Sequence, residues 1–288
     1  MYLEVPPHPR LRHLVRMYWQ VEEFHGPGQE EHRFMPEHTV RLTFFSGDSW
    51  QAGAGPDSPL ERLPGATLTG MLLSPRRLVS VGLTRALGVE LYPWGARQLF
   101  GWSMEVQGLD LTPVSAPVSR AVPALLRAGA WAEARDVLDD WLLERLSLHE
   151  RELGPAVQAA AALYASLGTA RIGALAQELN VSPRHLERGF AHEVGVNAKT
   201  LARLIRFEEA HNRLYVNPDE PLAGLAVDLG FADQAHLTRE FRALAHMTPG
   251  SFAAYARQMT HVHDALNPAN TLGSVTPVVA APRPTEGP

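Results

Sequence analysis

One helical hairpin is written twice between residues 172 and 255, and this repetition constrains the fold more than any other feature of the chain. Ile172, Leu175, Ala176 and Leu179 recur fifty positions later as Leu222, Leu225, Ala226 and Leu229. Leu186, Arg188 and Phe190 recur fifty-one positions later as Leu237, Arg239 and Phe241, and Val196, Thr200 and Leu204 keep step with Met247, Ser251 and Tyr255. An offset held through so many apolar positions marks a duplicated supersecondary unit. The step from fifty to fifty-one puts one extra residue in the second turn. Each copy reads as an apolar helix, a short turn carrying Asn180 or Gly230, and a second helix opened by a capping residue. That is the pattern of a helix-turn-helix.

The local signals give each copy its boundaries. Residues 155–167 read as a helix stopped by Gly168, with Thr169 capping a second over 171–179. Ser182-Pro183 supplies an N-cap and a proline at the first helical position. In the helix that follows, Leu186 and Phe190 share the buried face, while Arg184 and Arg188, four apart, share another, flanked by His185 and Glu187. A buried face backed by an arginine-bearing exposed face suits a helix that reads the major groove, where arginine pairs bidentately with guanine. A helix over 198–216, about 27 Å long at 1.5 Å per residue, joins the copies and ends at Asn217-Pro218-Asp219. Pro221 begins the second hairpin, Asp233 caps its second helix, and Leu237 and Phe241 point inward. Gln234, Ala235, His236 and Arg239 are left outward, and glutamine can pair with adenine. Thr248-Pro249 opens a closing helix that packs Phe252 and Tyr255 back.

Charge limits how such a unit can hold DNA. The net charge is −5. Residues 155–260 carry ten Lys+Arg against ten Asp+Glu, and residues 1–154 carry fifteen against nineteen. A balanced reader lacks a long-range basic field, and Lys199 is its one lysine. Phosphate contacts therefore fall to arginine, hydroxyls and helix N-termini. With no cysteine, disulfides, thiolate catalysis and Cys-based zinc sites are excluded. No apolar run is long enough for a membrane span and no secretory signal opens the chain, so the expected location is the cytoplasm.

The first 150 residues have a different character. A helix is expected over 10–17, then β structure from Phe34 to Phe45, where Val40, Leu42 and Phe44 alternate with Arg41, Thr43 and Phe45. Residues 46–66 read as a mobile loop. Strand-like windows follow at 68–73, 78–83 and 89–92, with 75–77 and 84–88 as turns, which suggests a small antiparallel sheet or barrel. After 112–119 the pattern is helical, and residues 130–146 form an amphipathic helix. Gly154-Pro155 marks a domain boundary, and the stretch from 266 onward is too poor in large apolar residues to pack.

The residues Gly230-Phe231-Ala232-Asp233-Gln234-Ala235-His236-Leu237-Thr238-Arg239-Glu240-Phe241, together with Thr248-Pro249 and Ser182-Pro183-Arg184-His185-Leu186-Glu187-Arg188-Gly189-Phe190, resemble the AraC family of bacterial transcription regulators. The resemblance implies two helix-turn-helix subdomains in successive major grooves. It places base contacts at Arg184, Glu187 and Arg188 in the first reading helix and at Gln234, Ala235, His236 and Arg239 in the second, with Ser182 and His185 beside them. Glu187, acidic at such a position, suits cytosine or is merely tolerated. His246 stands where the family usually has glycine. The segments Met35-Pro36-Glu37-His38 and Tyr92-Pro93-Trp94-Gly95-Ala96 are similar to those of an uncharacterised N-terminal domain found on some members.

The expected architecture is therefore an α+β sensing or oligomerisation domain over 1–150, an all-α double helix-turn-helix reader over 155–260, and a disordered tail over 266–288. The expected function is sequence-specific transcription regulation, with double-stranded DNA, a small-molecule effector, RNA polymerase and a second copy of the chain as partners. No membrane, cofactor, catalytic residue or metal is expected. An effector pocket is read from Trp19, Phe34, Phe44, Tyr92 and Trp94, with Arg33 or Arg97 holding an anion. These aromatics equally suit a packed core. A metal site from His25, His32 and His38 is a weaker reading, because their spacing does not demand one. Residues 130–146 offer Leu138 and Trp141 either to a dimer partner or to the domain's own sheet. The rival from another class is an enzyme, a cupin-like catalytic barrel carrying a DNA-binding module.

Overall fold

The computed structural model describes residues 2–52, 59–101, 109–149 and 153–266, without the side chains of 25–33, 48–52, 149 and 258–266. The chain forms two compact units: Met1–Gln158 with Val181–Asn197, and Ala159–Asn180 with the chain from Ala198 onward.

The first unit is built on an antiparallel sheet of β1 (Tyr2–Val5), β2 (Val15–Phe34), β3 (Val40–Ala52), β4 (Leu60–Arg62), β5 (Ala66–Thr69), β6 (Arg76–Leu91) and β7 (Leu109–Asp110). The strands run in the order β1-β2-β6-β3-β5-β7, with β4 paired to β3. Alternation along each strand sorts the two faces. Val40, Leu42 and Phe44 lie on the side covered by helices α1 (Pro93–Phe100), α2 (Ala116–Ala128) and α3 (Trp131–His149), and all three are buried. Tyr18 on β2 donates its hydroxyl hydrogen to Asp139 Oδ1 on α3 at 2.6 Å, and Arg135 donates to Gln20 Oε1 at 2.6 Å. Leu138 and Trp141 are buried within the unit, Trp141 against Phe100 at 5.2 Å between ring centroids. The amphipathic helix therefore serves its own domain, and those two side chains are not a surface for a second copy.

Four local expectations give way to the sheet. The helix expected over 10–17 is a single 3-10 turn, Pro9–Leu11, after which the chain enters β2. Here Val15 and Tyr18 face the core as strand residues, and burial outweighs weak helical propensity. In the loop expected over 46–66, residues 46–52 continue β3, which pairs with β4 at Leu60–Arg62, while 53–58 lie outside the described residues. The turn expected at 84–88 lies inside the unbroken β6. Its glycines serve other purposes: Gly82 has φ +66 beside a register shift in β3, and a Cβ on Gly88 would stand 2.0 Å from the Trp19 ring. Glycine within a strand here marks a close approach. The window expected over 68–73 shortens to β5, with Leu72 making one isolated bridge to Glu37.

The second unit is helical. It contains the C-terminal part of α4 (Pro155–Ala165), then α5 (Ile172–Glu178), α7 (Ala198–Val216), α8 (Leu222–Asp228), α9 (Gln234–Ala245) and α10 (Pro249–Leu266). The remaining helix, α6 (Pro183–Gly189), belongs to the first unit. Phe207 of α7, Phe241 of α9 and Phe252 of α10 meet at centroid distances of 4.9 and 5.8 Å. His211 packs on Phe252 at 4.4 Å, and burial pushes its pKa down to about 4. Tyr255, expected to pack back, is 41% exposed. Thr169 does not cap α5: its hydroxyl donates to the Ser166 carbonyl, and Ser166 Oγ instead accepts from the Ala170 N–H. The tail expected from 266 onward lies, beyond Leu266, outside the described residues.

Candidate nucleic-acid interface and sensing cavity

The two turns differ by the one residue that the repeat predicts. Leu179–Ser182 separates α5 from α6, and Leu229–Asp233 separates α8 from α9. Asn180 (φ +53) and Gly230 (φ +68) take equivalent left-handed places, a conformation that asparagine and glycine tolerate best. Ser182 Oγ accepts from the His185 N–H at 3.2 Å, and Asp233 Oδ1 accepts from the His236 N–H at 2.6 Å. Each cap satisfies one of the helix-start donors that have no partner inside the helix. The copies diverge after the reading helix. The first continues as a π turn, Phe190–Val194, closed by Gly195 at φ +85, while α9 stays α-helical to Ala245 and closes on His246 at φ +58.

On α6 and its cap the outward residues are exposed: Ser182, Arg184, His185, Glu187 and Arg188 all face solvent, while Leu186 is buried. On α9, Gln234, Ala235 and Arg239 are exposed, while Leu237 and Phe241 are buried. His236 is half-buried. Its Nδ1 accepts from the Ala232 N–H at 3.2 Å and its ring stands edge-on to Phe231 at 5.4 Å. One of its ring nitrogens thus braces the turn.

Other arginines of the second unit are spent on its own structure. Arg203 pairs with Glu240, Arg213 with Glu220 and Asp228, and Arg257 with Asp219. Arg206 lies over the Phe231 ring at 5.1 Å, and burial lowers its pKa. The connector α7 is one uninterrupted 19-residue helix.

Capped, exposed, arginine-bearing helices that follow tight turns define a helix-turn-helix DNA-binding protein. A family model described as a helix-turn-helix domain matches residues 175–255, and one described as a domain of unknown function (DUF6597) matches residues 3–107. The chain thus carries an AraC-type helix-turn-helix domain behind that N-terminal domain, and the protein is a DNA-binding transcription regulator. No curated protein matches it in sequence. Among solved structures it is similar to ToxT from Vibrio cholerae, at 12% identity over 82% of this chain and 98% of that one, with a TM-score of 0.48. A second ToxT structure from that organism, bound to an unsaturated fatty acid, aligns at 10% identity over 88% and 94% with a TM-score of 0.43. The C-terminal domain of AraT, a response regulator from Geobacillus stearothermophilus, aligns at 25% identity over 36% and 88% with a TM-score of 0.33.

The other face of the N-terminal sheet encloses a hollow of about 390 Å³. Trp19 and Phe34 stand on its wall, and between them Arg41 lies 5.6 and 5.5 Å from their centroids. Arg41 is ion-paired to Glu37 and lies 3.8 Å from Glu90, which Arg16 holds from another side at 2.8 Å. Thr43, Thr67, Ser80 and Thr84 add hydroxyl-bearing side chains to the lining. Thr84 Oγ1 and Trp19 Nε1 are buried with no hydrogen-bond partner among the described residues.

The other residues expected in a pocket lie elsewhere. Phe44 is fully buried in the helix-side core, because it alternates with the cavity-facing Thr43 and Phe45. Trp94 is a buried core residue that donates its indole hydrogen to the His13 carbonyl, and Tyr92, half-buried, stacks on it at 4.6 Å. Arg97 instead meets His192 of the π turn at 2.7 Å. The side chain of Arg33 lies outside the described residues, as do those of His25 and His32 from the proposed metal trio. His38 is buried, and burial, aided by Arg16, pushes its pKa down to about 3.

Proposed function

We propose that α6 and α9 enter successive major grooves of one operator, with residues 155–260 as the reader and 1–150 as the domain that controls it. The observation that carries this reading is the pair of capped helices whose polar residues stay exposed while other arginines are held in internal ion pairs. Arg188 and Arg239 stand at equivalent repeat positions, and each is assigned a base contact. Arg184, Glu187, Gln234 and Ala235 complete base readout, Ser182 and His185 contact the backbone, and His236 contributes through the ring nitrogen that does not brace the turn. The 19-residue α7, about 28 Å long, is of the right length to space two helices by one DNA turn, roughly 34 Å with helix width included.

In this reading the hollow beneath Trp19, Phe34 and Arg41 takes a small-molecule effector and binds it without converting it. Burying an ion network and hydroxyls, where the opposite face buries aliphatics, costs desolvation, and a polar ligand offsets that cost. A cytoplasmic regulator of this kind acts on RNA polymerase and can work as a homodimer. Among the described residues no helix is long and apolar enough to cross a membrane. Selection of bound DNA from a random pool tests the reader. Two conserved segments about one turn apart are expected, and one short segment or no preference would overturn the two-groove assignment.

A further inference from the structure

We propose that a second cleft of the first unit, between β3, β4 and α2, is a binding site for a small organic phosphate. The cleft has a volume of about 540 Å³, and its lining includes Arg62, Arg120 and Arg127 and, among the described residues, no carboxylate. In a half of the chain with four more acids than basic residues, nineteen against fifteen, the two exposed guanidinium groups that α2 brings to this cleft, Arg120 and Arg127, stand out. The side chains of Arg120 and Arg127 make no ion pair or hydrogen bond among the described residues, in contrast to Arg16, Arg41 and Arg85 of the same unit.

A second observation points to a ligand. Ser119 Oγ, on α2 next to Arg120 in the cleft lining, is buried without a hydrogen-bond partner among the described residues. A hydroxyl is both donor and acceptor, and a phosphate oxygen at this point gives it an acceptor. Arginine forks suit the tetrahedral oxygens of phosphate and bind them bidentately. The site is anchored from behind: Arg85, held by Glu22, donates to the carbonyls of Leu126 at 3.2 Å and Arg127 at 2.8 Å, at the end of α2. Phe45, Leu63 and Pro123 form an apolar wall beside the cations. The wall fits the ring of a sugar or base carried by the phosphate.

The phosphate chemistry has a second source, the backbone of the bound DNA, and two measurements on the full chain separate the sources. The first titrates inorganic pyrophosphate by calorimetry into wild type and into the double variant Arg120→Ala/Arg127→Ala, whose exposed positions leave the fold intact by circular dichroism. The second measures the salt dependence of binding to the selected DNA site for the same two proteins. Sub-millimolar pyrophosphate binding, weakened at least tenfold in the double variant with an unchanged salt slope, is the expected result. A salt slope lower by about 2 in the variant, without pyrophosphate binding to wild type, would overturn the small-molecule assignment and give the cleft to DNA. Pyrophosphate binding equal in both proteins, or absent alongside an unchanged slope, would overturn the site itself. Retention of pyrophosphate binding in Arg120→Lys/Arg127→Lys, reduced but measurable, is expected of a charge-built site.

Discussion

Replacing His246 by glycine should stabilise the second unit, because this residue occupies the left-handed position that closes α9. His246 has φ +58 and ψ +20, is exposed, and its N–H bonds to the Arg242 carbonyl. The first copy closes the equivalent turn with Gly195 at φ +85. A side chain in this conformation costs roughly 1–2 kcal/mol, and introducing glycine returns about 0.4–1 kcal/mol of entropy to the unfolded chain. The difference favours His246→Gly by roughly 0.5–1 kcal/mol, a rise of about 2–6 °C in melting temperature for a unit of this size. Two signals separate the units. All six tryptophans lie at or before Trp141, so their fluorescence follows the first unit, while circular dichroism at the helical minimum weights the second. The dichroism transition should move up while the fluorescence transition stays in place. A lower or unchanged helical midpoint would refute the argument from backbone strain.

Three further outcomes follow from the packing. Gly88→Ala places a methyl group inside the Trp19 ring, so it should destabilise the first unit by roughly 1–3 kcal/mol in urea unfolding read by fluorescence; equal stability would show that Trp19 moves freely. His211, neutral in the folded state with a pKa of about 4 against 6.5 in the unfolded chain, makes the unfolded state the better proton binder in that window. Stability of the second unit is therefore full above about pH 6.5 and falls toward pH 4, losing about 2 kcal/mol between pH 7 and 5. His211→Phe should flatten that dependence, and an unchanged slope would locate the titration elsewhere. Asp233→Ala removes the cap of α9 and should cost about 1 kcal/mol in the helical transition, with Asp233→Ser restoring most of it.

The helical half was legible because its signals are local and strong. Apolar periodicity, Ser182-Pro183, Asp233 and the left-handed turn residues each act within a few positions, and the connector expected over roughly 198–216 is found as α7. In the sheet, pairing between distant segments decides the outcome. Gly88 reads as part of a turn, yet it makes room for Trp19 from a neighbouring strand, and Gly82, inside an expected strand, sits at a bulge. The polar residues of the cavity are hidden from the sequence for the same reason. Arg41, Thr43 and Phe45 carry the alternation of a solvated face, and nothing within β3 tells that Glu90, Thr67 and Thr84 fold over to enclose them. The alternation is partly visible in the sequence: Arg41 and Thr43 stand between Val40, Leu42 and Phe44 on β3, and Ser80, Thr84 and Glu90 on β6 are separated by even steps, so they share one strand face. Aromatic content alone misled, since Phe44, Tyr92 and Trp94 are structural while Trp19 and Phe34 line the hollow.

Whether two equivalent helices read one operator is decided by hydroxyl-radical footprinting of the selected site with wild type, Arg188→Ala and Arg239→Ala. Two protected segments about 10 base pairs apart are expected. Each variant should weaken binding by roughly 1–3 kcal/mol and lose protection over its own segment alone. A single protected segment, or unchanged affinity in both variants, would contradict the two-helix assignment.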